Sequence, residues 1–293
     1  MKEIKDLSSK DVSKNNMTVG IGTIFNNGKS PGVLLVADKM ISFGQISIEH
    51  SMSKINKVLD DKVKIFGVGS GDVSLTSDFF QRLDEIVKKE YSEKKTITVI
   101  RVAEIGSFVL SHMVSARVEK QILLPLGLNF NDLKEKKVPS ELIQKITDDT
   151  EEIQKSLYNN IDVIIAGIDE FGAHLCKINS SDYSIADSVG FITTGSGSLS
   201  SMWTLLHRTY SSFSDLYTNL ILTVQAKLQS EESFGVGTNT DIWLITKDKA
   251  TELPKNLIEF IREKTGTITK AQNDELEKVT ADLKKNFNKL KGA

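Results

Sequence analysis

One cysteine, four prolines and two tryptophans are all that 293 residues contain of those types, and neither charge sign prevails: 37 Lys and Arg face 39 Asp and Glu, a formal net charge of -2 at pH 7. Each shortage excludes something. The single thiol, Cys176, cannot close an intrachain disulfide, and the alternation His174-Leu175-Cys176-Lys177-Ile178 predicts a buried strand position for it, not a nucleophile or ligand. A reducing, cytoplasmic compartment is expected. The balanced charge gives no reason for a nucleic-acid or anionic-membrane partner. No apolar run approaches the roughly eighteen residues of a membrane span, and the polar, Lys-rich residues 1–16 lack the apolar centre of a secretory signal. His50, His112, His174 and His207 are far apart, with no carboxylate or Cys at ligand spacing, so no metal and no other cofactor is expected.

What is present is a soluble-protein composition, 39% hydrophobic and 26% charged, arranged as short apolar runs in a definite order. Val19 to Phe25 and Val33 to Ala37 are joined by Asn26-Asn27-Gly28-Lys29-Ser30-Pro31-Gly32, which predicts a β-hairpin. Lys62 to Gly69 reads as a further strand ending in Gly67-Val68-Gly69-Ser70-Gly71. Apolar residues three and four apart, Leu75, Phe79, Leu83 and Val87, then predict a helix over about 73–91. A second helix starts at Thr98 as its N-cap and is interrupted by Pro125 and Gly127. After a charged connection from Asn129 to Pro139, a third begins at Ser140, with Leu142, Ile146, Ile153 and Leu157 inward. The acidic run Asp148, Asp149, Glu151 and Glu152 forms its solvated face.

Strands at Ile161–Ile168 and Ala173–Ile178 follow, then a short strand into the turn Gly195-Ser196-Gly197, which carries only a weak phosphate-cradle signal. Helices near 200–210 and 214–229, a strand at Thr240–Thr246 and a helical segment from Pro254, broken at Gly266, complete the chain. In that last segment Leu276, Val279, Leu283, Phe287 and Leu290 form an amphipathic stripe that docks on the domain or on a neighbouring subunit. Strand and helix blocks joined by hairpins indicate antiparallel sheets covered by helices, an α+β layered fold.

Four motifs in this order resemble the 20S proteasome β-subunit family, the threonine branch of the N-terminal nucleophile (Ntn) hydrolases. They are Thr18-Val19-Gly20-Ile21 opening a hairpin that ends Val36-Ala37-Asp38; Lys54-Ile55, sixteen residues after that aspartate; Gly67-Val68-Gly69-Ser70-Gly71-Asp72 before the first helix; and Gly195-Ser196-Gly197 before a later one. The resemblance spans about 18–250, with an enlarged helical insertion near 123–158 and a C-terminal helical extension at 251–293. It implies a four-layer αββα sandwich and a threonine-type endopeptidase. In it Thr18 is the nucleophile, its own α-amine the base once residues 1–17 are gone, and Lys54, held by Asp38, tunes the proton transfer. Gly69 N–H serves as oxyanion donor, and Ser196 orders the amine and a water. Peptide or unfolded-protein substrate, a homo-oligomeric ring and an unfoldase partner are further implications; no nucleic acid and no membrane are expected.

The sequence departs from the family at several points. Glu232, followed by Gly235-Val236-Gly237, stands where an Asp and a Ser are usual, and Met40 replaces a frequent Arg. Lys57 competes with Lys54, at an odd offset that turns it to the other strand face. Met17 is either trimmed before Thr18 or removed with a pro-segment. A register two residues earlier, with Asn16 at the nucleophile position, preserves the alternation equally and leaves a non-catalytic subunit. A peptide transferase or amide hydrolase using the same acyl-enzyme is a third reading.

Overall fold

The computed structural model describes residues 18–26, 28, 30–43, 46–49, 53–135 and 138–291. Residues 1–17, among them Asn16 and Met17, lie outside them, as do Asn27, Lys29 and His50.

The chain builds two five-stranded antiparallel sheets. The first has the order β10(Phe191–Thr194), β1(Gly20–Asn26), β2(Pro31–Asp38), β11(Thr240–Ile245), β12(Ala250–Glu252); the second runs β5(Ile55–Asp60), β6(Lys64–Gly71), β7(Ile161–Asp169), β8(Gly172–Ile178), β9(Tyr183–Ile185). A two-stranded ribbon, β3(Met40–Phe43) with β4(Ile46–Glu49), leaves the end of β2. The hairpin registers Gly20 against Ala37 and Ile24 against Val33, close to where the Asn/Gly/Pro-rich segment places its turn.

Alternation along the central strands divides the core in two. Phe66, Val68, Ile164, Ala166 and Leu175 cluster with Ile24, Val33, Leu35 and Ala37, so the two sheets meet face to face. The opposite face of the second sheet, with Ile65, Val163, Ile165, Cys176 and Ile178, is covered by α1(Val73–Lys94) and α2(Val99–Val118) through Leu75, Phe79, Leu83, Val102 and Leu110. Cys176 is fully buried, and burial pushes its thiol up to about 12, away from nucleophile chemistry. α5(Ser198–His207) and α6(Leu216–Ser230) pack on β10, β1 and β2 of the first sheet, where Thr23 and Thr223 hydroxyls meet at 3.0 Å.

Local signals account for the helix starts. Asp72 caps α1 by accepting from Ser74 and Leu75 N–H at 2.8 and 3.0 Å, and Thr98 caps α2 through Arg101 N–H at 3.1 Å. Val99–Leu126 is long and apolar enough to cross a membrane by composition alone, yet Val102, Ala103, Leu110 and Met113 are buried in the core against the sheet. Beyond α2 the chain narrows through a π-helical turn at Glu119–Leu123 and a 3₁₀ turn at Leu124–Leu126, where Gly127 takes φ 68°. The charged connection is not wholly irregular: α3(Phe130–Glu135) forms in it, with Asn129 capping Asn131 and Asp132 N–H. α4(Ser140–Tyr158) follows, burying Ile146 and Leu157 and exposing Asp148, Glu151 and Glu152.

Residues 253–293 form a second compact unit made of the single helix α7(Lys255–Lys291). The expected break at Gly266 is absent, because one glycine costs a helix only about 1 kcal/mol and its neighbours continue the backbone ladder. Of the expected apolar stripe, Val279 and Leu283 are exposed; the side chains of Leu276, Phe287 and Leu290 lie outside the described residues.

Candidate active site

Antiparallel pairing of β1 with β2 brings the residues before Gly20 alongside the end of β2, and Asp38 N–H donates to Val19 O at 3.2 Å. Thr18 and Asp38 therefore meet although twenty residues separate them. Asp38 is fully buried, a position a carboxylate occupies only with donors on both oxygens. Its Oδ1 accepts from Thr18 Oγ1, from Val19 N–H at 2.9 Å and from Lys54 Nζ at 3.0 Å. Its Oδ2 accepts from Met40 N–H at 2.9 Å and Gly237 N–H at 3.1 Å.

Lys54 lies one residue before β5, and its Nζ also donates to Thr18 Oγ1. The threonine hydroxyl is thus held between an ammonium and a carboxylate. Burial lowers the Lys54 pKa below its ordinary value; Asp38, by charge and hydrogen bond, and Glu49, by charge, oppose that fall without cancelling it. Such an amine releases a proton more readily than a surface lysine does.

The other side of Thr18 is closed by the turn before α5. Gly195 takes φ 85°, and a Cβ there would come 2.2 Å from Thr18 O. Gly197 N–H donates to that carbonyl at 3.2 Å, and Ser196 Oγ donates to it at 3.3 Å and to Phe234 O at 3.2 Å. Ser196 therefore holds the Thr18 carbonyl, where the sequence reading gave it the amine; the left-handed turn at Gly195 presses this segment onto the carbonyl oxygen. Gly197 N–H is thus engaged by Thr18 O, and Ser198 N–H by Gly195 O at 3.0 Å.

Gly69 sits on β6 against Val163 of β7, and its missing Cβ lets Thr76 of α1 approach within 2.9 Å of where that atom would be. Strand β5 begins at Ile55, opposite Val68, and the register extended by one step sets Lys54 opposite Gly69. Lys57 goes elsewhere: it is half exposed, pairs with Asp60 at 3.0 Å and lies over the Trp243 ring. Glu232 is exposed on the turn after α6 and makes no described contact with Thr18, Asp38 or Lys54. Glu49 reaches loop 235–239 directly, and Glu231 does so through Lys227.

A second ionic cluster surrounds His174. His174 lies 3.2 Å from Asp169 and 2.7 Å from Asp187, and its pairing with Asp169 and hydrogen bond to Asp187 outweigh burial to raise it to about 9. Asp169 also accepts from Val99 N–H at the start of α2, at 2.8 Å, and Asp187 from Leu175 N–H. The cluster ties three segments together. Among the described residues no group of three or more His, Cys, Asp or Glu is arranged to hold a metal ion. Comparison of the chain with protein-family models and with curated proteins finds no match to either.

Proposed function

We propose that the two facing sheets and their flanking helices are the four-layer αββα sandwich of an Ntn hydrolase of proteasome β-subunit type, and that the protein is a threonine peptidase acting from Thr18. One observation carries the proposal: the Thr18 hydroxyl is bonded at once to the Lys54 ammonium and to a fully buried Asp38. A strand-initial threonine placed only for β propensity has no use for a buried Lys–Asp pair, which costs desolvation energy that apolar residues would not.

The chemistry follows from the contacts. Removal of residues 1–17 turns the Thr18 nitrogen into an α-amine with a pKa near 8. That amine takes the Oγ proton as Oγ attacks the scissile carbonyl, and Lys54, positively charged beside Oγ, stabilises the developing negative charge. Gly69 N–H donates to the carbonyl oxygen as it becomes an oxyanion. The amine then protonates the leaving nitrogen, which departs with the carboxy-terminal part of the substrate as a free amine and leaves the amino-terminal part as an ester on Thr18; water cleaves the ester by the reverse proton path. Ser196 and Gly197 fix the Thr18 carbonyl, which restricts rotation of the nucleophile and orients it towards substrate. The substrate class is peptides or unfolded protein, and a homo-oligomeric ring served by an unfoldase encloses the sites.

Intact-mass measurement of the purified protein, before and after a β-lactone, tests the reading. Expected are a chain beginning at Thr18 and one adduct on it, lost in Thr18→Ala. A chain that keeps Met17 joined to Thr18 and takes no adduct identifies a non-catalytic subunit of the same architecture. Product analysis with added amine acceptors separates hydrolysis from transfer.

A further inference from the structure

Lys227 lies on α6 and its side chain is wholly buried. An ammonium in that position carries a desolvation penalty that Leu or Met would avoid, so its contacts need a reason. Nζ bonds Glu231 Oε1, one turn further along α6, at 2.7 Å, and Gly237 O at 2.7 Å. Gly237 in turn sends its N–H to Asp38 Oδ2 at 3.1 Å. On the far side of the same loop, Glu49 accepts from Thr238 N–H at 2.6 Å and from Asn239 N–H at 3.1 Å. A Cβ at Gly237 would meet Glu49 Oε1 and Met40 Cβ at 2.9 Å, so the loop is held against the ribbon with no room for a side chain.

We infer that Lys227 is a positioning residue for the Thr18 site: together with Glu49 it clamps loop 235–239, so that Gly237 N–H is delivered to the carboxylate that holds Thr18 and Lys54. The inference rests on the proposed Thr18 chemistry for its catalytic consequence, though not for the clamp itself. Oδ2 of Asp38 has two described donors, Met40 N–H and Gly237 N–H, and the second is held from α6. When the loop loosens, the carboxylate keeps more of its charge for Lys54, which then stays protonated to higher pH. Between Lys227 and Asp38 the link runs through the main chain of Gly237, whereas on the Glu49 side the Thr238 hydroxyl, at 3.1 Å, and the Asn239 amide also donate to the carboxylate.

The test compares full-length wild type with Lys227→Met and Lys227→Arg by hydrogen exchange and by β-lactone labelling of Thr18 across pH. In Lys227→Met, exchange over 235–239 rises about tenfold while β7 is unchanged, labelling slows about tenfold, and the labelling midpoint moves to higher pH. Arg, which keeps the charge, restores most of each. A folded Lys227→Met protein with wild-type exchange over 235–239 overturns the clamp, and one with altered exchange but wild-type labelling rate and midpoint overturns the positioning role. Absence of labelling in wild type refutes the Thr18 chemistry and with it the catalytic role of Lys227, leaving exchange to decide the clamp by itself.

Discussion

Replacing Lys54 by Met removes the ammonium while keeping the length of its stem, and Asp38 then remains buried without its cation. Breaking a buried ion pair from one side costs about 3–5 kcal/mol. Asp38 keeps three backbone N–H donors and the Thr18 hydroxyl, and the Lys54 side chain is 15% exposed, so the loss falls lower, at about 2–3 kcal/mol. Asp38→Asn costs more, about 4 kcal/mol, because an amide offers one acceptor oxygen where N–H groups converge on two, and Lys54 loses its counter-charge. In the double variant both charges go together, so its loss is smaller than the sum of the singles by about 1–3 kcal/mol. Urea unfolding of the four proteins at pH 7, at constant m-value, measures the coupling. Single losses that add to within about 0.5 kcal/mol would refute the coupled buried pair, and with it the physical basis for an activated Thr18 hydroxyl.

Two other expectations concern the frame around the site. His174, raised from 6.5 to about 9 chiefly by its pairing with Asp169 and its hydrogen bond to Asp187, stabilises the fold fully below about pH 6.5 and loses that contribution as pH rises through 9. At 1.36 kcal/mol per pH unit the ceiling is about 3 kcal/mol, and with Asp187 30% exposed about 1–2 kcal/mol is expected. Unfolding of wild type and His174→Gln at pH 6, 7.5 and 9 reads it; parallel pH dependences would show that the cluster carries no such linkage. Gly195→Ala forces a Cβ into a left-handed residue 2.2 Å from Thr18 O, so it lowers stability by about 2–4 kcal/mol and slows Thr18 labelling. A melting temperature within about 1 °C of wild type contradicts that close approach.

Much of the fold was legible because its signals are local. The hairpin follows from two β-branched runs around an Asn/Gly/Pro segment, and α2 starts where Thr98 can cap Arg101 N–H. The elements that escaped, β3, β9, β12 and α3, are three to six residues long, too short to establish a period. The longest error ran the other way: Gly266 looked like a stop, yet a 37-residue helix absorbs it. The surroundings of His174 were not legible because its carboxylates, Asp169 and Asp187, are five and thirteen residues away, spacings that mean nothing until the β7–β8 turn and the loop before β10 fold them inward.

The site divides along the same line. Thr18, Asp38 and Lys54 could be named together through the family resemblance; the β1–β2 register accounts for the meeting of Thr18 with the end of β2, whereas Lys54 arrives from the start of β5, which that register does not place. Lys227 and Gly237 could not, since the bond from Gly237 to Asp38 spans 199 residues and is made by main chain. Three of the five described donors to Asp38 are backbone N–H groups, from Val19, Met40 and Gly237, and a backbone donor has no side-chain signature. Met40 shows the consequence. As a side chain it looked like a loss of positive charge near the site, but its N–H supplies a bond to Asp38 that any residue except proline would make equally well. Electrostatic support for the carboxylate therefore depends less on which side chains surround it than on what fixes the loops carrying those N–H groups, and at Gly237 that is the buried ammonium of Lys227.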